Sequence, residues 1–426
     1  MILSPTRPGA TGSNARTTGG VAAVVAPVTT GGVAAVVAPV VAGTPYAPAL
    51  ARHGWSCIAV TLPETDHADA APSRLLDQIT HTGSLRRTAR DLAHRGTTAV
   101  VAGSPAGCEL ADRLAARLGL PGNVPATADL RRDTAWTSAA LRDAGLSAPR
   151  LLRTASLGEA LRWARFTRLP QLVVEHPDPA LTHAGALCRT PADIRAAWHR
   201  QQHRDSQPLV VREHHPGTQF RIHTMSGPVH DGNDTHTVTA IWCESHTRER
   251  QIQRADLLSG RGILARALTR YTQRALTILG VRYGPAQATV IYTSDRGPTL
   301  TALRTDAGTE FVPEALRAAT GHDPVADTVH LILTGRREEP RPARTTHTTK
   351  VALLPRQDGT VNPELLHTLT SLPTVAAHTP LIAGTAVNAG QVAGWLLLAA
   401  EDLRAINRDH QAIRAAENCG LYGRTA

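Results

Sequence analysis

The chain has 426 residues, 42% of them apolar and 3% aromatic, and a net charge of +10. This fits a globular protein of two or three lobes with an Ala/Val/Leu core and excludes a disordered chain. The positive charge is carried by scattered arginines, without a basic run or an aromatic-studded basic strand, and so argues against a nucleic-acid partner.

The amino-terminal region contains an exact repeat. Thr17–Val28 (TTGGVAAVVAPV) recurs unchanged as Thr29–Val40. Two copies are too few for a solenoid. The stretch is uncharged from Thr17 to Ala51 but broken by Gly and Pro, so short strands are expected rather than a signal or a membrane span. Val33–Val40 is a continuous apolar run, as expected of a strand buried on both faces of a parallel sheet. Ser56–Leu62 and Thr97–Gly103 read as further strands, and AGCELADRLAARLGL as a helix. Only one copy of the repeat can be the first strand. The second leads directly into the next helix and strand, so residues 1–28 are expected to be a surplus, poorly ordered copy, and deleting them should leave stability unchanged.

Beyond residue 125 the pattern changes. DTAWTSAALRDAGL predicts a helix closed by Gly145. QLVVEH and PLVVREHHPG predict strands on either side of a helix in TPADIRAAWHRQQ, with Thr190 as its N-cap. THTVTAIW is another strand. Ile263–Gly280 predicts a long helix, and AQATVIYT and PTLTALRT a strand pair around the turn SDRG. The polar, basic stretch Arg336–Thr349 reads as a linker or exposed loop before a small terminal lobe.

The five cysteines (Cys57, Cys108, Cys188, Cys243 and Cys419) are far apart and suggest neither a disulfide framework nor a zinc site. A reducing cytoplasm is the expected location. Lys350 is the sole lysine, so chemistry that needs two cannot occur. Of the histidines near the central strand (His214, His215, His223, His230 and His236), some are expected on its exposed face and none is assigned a role. His176 beside Glu175 is the best pair for unorthodox acid–base chemistry. Arg304 could supply guanidinium charge to a phosphate or carboxylate.

The order and spacing of ELADRLAARLGLPGN, RRDTAWTSAALRDAGL, VVREHHPGTQFRIHTMSGPVHDGNDTHTVTAIW, LTILGVRYGPAQATVIYTSDRGPTL and LRAINRDHQAIRAAENCGLY resemble the ATP-grasp superfamily. The resemblance is to its branch of amino-acid and peptide (carboxylate–amine) ligases of bacterial biosynthesis, and spans roughly residues 30–426. It implies an α/β (α+β) fold. An open parallel amino-terminal lobe would span 29–125, a central lobe 126–210, a carboxy-terminal ATP-grasp lobe 211–335, and a linker with a terminal subdomain 336–426.

The family activates a carboxylate with Mg·ATP, which requires cations on the phosphates and carboxylates on the metal. By resemblance, the two phosphate-lysine positions hold Thr134 and Glu175. The ribose-glutamate position holds Gln219, and the two magnesium-glutamate positions hold Thr289 and Ala302. The arginine that usually follows falls near Asp306, while Glu213, at the hinge before the adenine site, is retained. Losing two charge-assisted bonds worth about 1.5–3 kcal/mol each, and gaining a repulsive carboxylate, weighs against phosphate binding. The expectation is a pseudoenzyme with no cofactor and no metal site. It would bind an active biosynthetic enzyme or an amino-acid or peptide ligand, with no nucleic acid and no membrane. An enzyme using the cleft without ATP, and a ligase still active through other residues, are the alternatives.

Overall fold

The structure is a computed structural model describing residues 31–39, 44–63, 77–178, 185–202, 207–228, 236–247, 250–308, 313–338, 346–379 and 382–423. The first copy of the repeat, like His230, lies outside the described residues.

The second copy forms strand Val33–Val37, interior to a parallel sheet ordered Asp77–Thr80, Ser56–Thr61, Val33–Val37, Thr97–Ala102. Four of its five residues are buried, as its uninterrupted apolar run requires. It ends earlier than expected because Ala38 turns to φ 49°. Strand Asp77–Thr80, with one buried residue in four, carries little sequence signal, whereas helix Leu85–His94 was not among the expected elements despite its Ser84 N-cap and its buried Thr88, Ala89 and Leu92.

A four-stranded antiparallel sheet follows, ordered Leu151–Thr154, Leu209–Glu213, Leu172–Glu175, Ala186–Cys188. Leu172, Val174, Leu209 and Val211 point to one face and pack on Ile194, Ala197 and Trp198 of helix Pro191–Gln201. That helix opens with a capping box between Thr190 and Asp193. Alternation therefore sends Val173, Glu175, Val210 and Arg212 to the opposite face.

The third sheet has eight strands among the described residues, all antiparallel. Their order is Gly297–Arg304, Gly284–Thr293, Thr218–Ser226, His236–His246, Ile252–Leu257, His347–Leu353, Gly394–Ala400, Val375–His378. Helix Ile263–Ile278 covers one face, where Leu268, Ala275 and Leu276 meet Phe220, Ile222, Ala288, Val290 and Leu300. The polar partners in that alternation, Gln219, Arg221 and His223, lie on the other face. The stretch expected as a linker ends in this sheet. His347–Leu353 pairs with Ile252–Leu257 on one side and Gly394–Ala400 on the other, and Thr348, Thr349 and Lys350 are buried. The β-branched side chains of the two threonines and the interior sheet position of the strand outweigh the polar composition around them. The last core joins this sheet to helices Pro363–Thr370 and Leu403–Asn418.

Candidate functional site

The bare faces of the four- and eight-stranded sheets bound a cleft of about 400 Å³. Thr134, Glu175, His176, Gln219, Thr289, Ala302 and Arg304 all line it. Glu213 does not. It shares a strand face with Val211, directed away from Arg212 and the cleft. Its carboxylate is taken by Arg150 at 3.2 Å and Arg296 at 2.8 Å. Burial works to raise this carboxyl, but the hydrogen bonds from Arg150 and Arg296 outweigh it and hold the pKa down at about 2.

Glu175 belongs to a pair that one-dimensional reading missed. Arg212 Nε donates to Glu175 Oε1 at 2.6 Å, and a second guanidinium nitrogen donates to Oε2 at 3.0 Å. The two residues sit diagonally across paired strands, Glu175 opposite Val210 and Arg212 opposite Val173, a spacing long side chains can bridge. Both are buried, at 7% and 4% exposure. Gly185 abuts the pair, since a Cβ there would fall 2.6 Å from Glu175 Oε2. Thr134 is buried at the start of helix Thr134–Asp143, its N–H donating to Pro177 O at 2.9 Å. Next to Glu175, the His176 ring accepts from the Asp178 N–H at 3.0 Å.

On the large sheet, register decides which groups stand together. Thr289 lies between Arg221 on one neighbouring strand and Ala302 on the other. Where the resemblance implies two metal-binding carboxylates, this row therefore presents a hydroxyl and a methyl next to a guanidinium. Arg221 donates to Glu244 at 2.7 Å, and Gln219 donates to the other oxygen of Glu244 at 2.7 Å. Gln219 also contacts His246 at 3.2 Å. Burial lowers the His246 pKa, and the nearby Arg250 lowers it further. Arg304 is bidentate with the buried Asp306, at 2.9 and 3.1 Å. The guanidinium expected near position 306 is thus replaced by a carboxylate that neutralises its neighbour. Among the described residues, no group of three or more Cys, His, Asp or Glu is placed to hold a metal ion.

The histidines do not converge. His236 is hydrogen-bonded to Ser226 at 2.8 Å and Thr277 at 3.1 Å. His214 and His215 follow strand Leu209–Glu213, and desolvation lowers both, His214 to about 4. Neither lines the cleft. Arg212, Arg221, Arg250, His246 and Trp395 do, and no motif pointed to them. For Arg221 a signal existed: it is a charged residue between the apolar Phe220 and Ile222 in an alternating strand.

No protein-family model matches the sequence, and no curated protein matches it significantly. Solved structures do match. An L-amino acid ligase from Bacillus licheniformis aligns with a TM-score of 0.72 at 14% identity, covering 90% of this chain and 97% of that one. The ADP complex of purK, an N5-carboxyaminoimidazole ribonucleotide synthetase, gives 0.70 at 10% identity, over 92% and 99% of the two chains. The same synthetase from Thermus thermophilus gives 0.65 at 14% identity, over 90% and 98%. The chain has the ATP-grasp fold along nearly its whole length, as the resemblance implied. Among the described residues, no helix is long and apolar enough to cross a membrane.

Proposed function

We propose that this ATP-grasp-fold protein does not perform Mg·ATP-dependent ligation, and that its cleft serves as a binding site. The observation that carries this reading is the Arg221–Thr289–Ala302 row. Magnesium takes hard oxygen ligands, commonly one or two carboxylates plus phosphate oxygens. Here the two positions offer no carboxylate, and the nearby carboxylate of Glu244 is already taken by Arg221 and Gln219. At the phosphate end, Glu175 brings negative charge and takes up the nearest guanidinium, that of Arg212. The fold is shared with ligases that join amino acids, which favours an amino-acid or peptide ligand, or a partner enzyme handling one.

The test is thermal denaturation of the full chain with ATP, with and without magnesium. A ligand at a hundred times its dissociation constant adds about 2.7 kcal/mol. No magnesium-dependent shift is expected. A clear one would overturn the reading.

A further inference from the structure

Four arginines line the cleft, and three of them have a carboxylate. Arg212 holds Glu175, Arg221 holds Glu244 and Arg304 holds Asp306. Arg250 has none among the described residues. Its Nε is buried without a hydrogen-bond partner there. Burial and the adjacent Arg212 both weigh against its charge, and the carboxylate nearest to relieving it, Glu175, is already bidentate with Arg212. The backbone at Arg250 is also in the left-handed region, φ 67°, which a side-chain-bearing residue adopts at a cost. Among the described residues, Arg250 thus keeps a guanidinium with a buried, unpartnered Nε and no carboxylate of its own, on a strained backbone beside three arginines that each have one.

The surroundings define what would neutralise it. One excess cation calls for one negative charge, and a planar guanidinium matches a carboxylate bidentately. A triphosphate would bring several charges against a cleft whose other cations are satisfied. Beside Arg250 the wall turns apolar, with Ile252, Val392 and Trp395. Gln251 ties this segment to Gly390 by a hydrogen bond. The Trp395 ring is held in place as well, because Lys350 Nζ sits 3.5 Å from its centre.

We propose that Arg250 recognises a single carboxylate, and that the cleft takes an apolar monocarboxylate, such as the free carboxy end of a hydrophobic amino acid or peptide, without a metal ion. The apolar portion lies on Ile252, Val392 and Trp395. This rests on the reading that the cleft does not take Mg·ATP.

The experiment is calorimetric titration of the full chain, in EDTA and in magnesium, with N-acetyl-L-leucine and its neutral analogue N-acetyl-L-leucinamide. The acid should bind at least about tenfold more tightly than the amide, a typical value for one charge-assisted contact, and equally in both buffers. Arg250→Gln should weaken the acid by about tenfold or more and leave the amide unchanged. Arg250→Gly should do the same while raising the melting temperature, because glycine relaxes the backbone. The second variant keeps the test decisive if the first folds poorly. Equal binding of acid and amide, no binding of the acid, or acid binding indifferent to both variants overturns the carboxylate site. Inorganic phosphate binding more tightly than the acid does so as well. A parallel titration separates the two readings. Tight Mg·ATP binding defeats the proposed function itself, whereas silence toward both ATP and the acid defeats only the carboxylate.

Discussion

Glu175 holds the position where the resemblance implies a phosphate-binding lysine, yet its charge is already neutralised. Arg212 is buried against it, so the two form one unit. Restoring lysine at 175 alone would place two cations side by side in a desolvated site. Removing one partner of a buried pair costs about 3–5 kcal/mol, and adding a like charge costs more. Glu175→Lys should therefore lower the urea midpoint sharply, and Glu175→Lys with Arg212→Leu should recover much of the loss. A neutral Glu175→Lys would mean that the pair does not exist in solution. Glu213 gives a pH signature. Its pKa falls from 4.5 to about 2 on folding. A depressed carboxyl stabilises the fold above its unfolded pKa and loses that contribution as pH falls through the folded one. The window is therefore about pH 4.5 down to about 2, and the full effect is about 3 kcal/mol, an upper bound because Arg150 is half-exposed and screened. Glu213→Gln should flatten acid denaturation across that window. An unchanged acid limb would show that Arg150 and Arg296 do not engage Glu213.

At the scale of elements, two devices fix the architecture, one at the cleft and one in the parallel lobe. One is strand alternation, which gives each of the two cleft sheets an apolar face under a helix and a polar face toward the cavity. It explains why Arg212 reaches the cleft while its neighbour Glu213 does not. The other is close backbone approach in the parallel lobe. Gly107 is the N-cap residue of helix Cys108–Leu118, and a Cβ there would fall 2.3 Å from Val37 O and 2.9 Å from its carbonyl carbon. Both obstacles are backbone atoms of Val37, a fully buried residue, and cannot rotate away. Gly107→Ala should cost about 1–3 kcal/mol through overpacking. Thermal melts of this variant and of Gly119→Ala separate two causes, since nothing crowds Gly119 and its penalty comes only from φ 69°. A Gly107→Ala protein as stable as the parent would mean that this approach is looser than described.

For the whole molecule, Arg131 is the junction. It is 5% exposed and donates to Asp112 at 2.6 Å, to Thr127 at 2.6 Å and to Leu279 O at 2.9 Å. Those partners come from the helix Cys108–Leu118, from the turn preceding Arg131, and from the end of helix Ile263–Ile278. Asn123 adds a parallel link, donating to Asp112 and accepting from the N–H groups of Arg282 and Tyr283. Arg131→Met leaves Asp112 buried without its cation, and about 3–5 kcal/mol should be lost. Because the bonds span segments far apart in the chain, calorimetry should show the unfolding endotherm broaden or split. A single sharp endotherm at the parent temperature would rule out this coupling.

The sequence by itself determined the local patterns: the buried first strand, the Thr190 N-cap, the helix closed by Gly145 and the turn that ends at Gly297. These depend on residues within a few positions of one another, where periodicity, caps and turn chemistry operate. It also carried the ATP-grasp fold, because the order and spacing of motifs follow chain topology. The tertiary structure alone decided that Glu175 finds Arg212, that Thr289 stands between Arg221 and Ala302, and that Glu213 turns away to Arg150 and Arg296. It likewise decided that Thr348 and Thr349 are buried in a strand rather than part of an exposed linker, and that Arg250 has no carboxylate among the described residues. Each of these rests on sheet register, face and distance between segments remote in sequence, and a shift of register by one residue would exchange the two faces and undo them all.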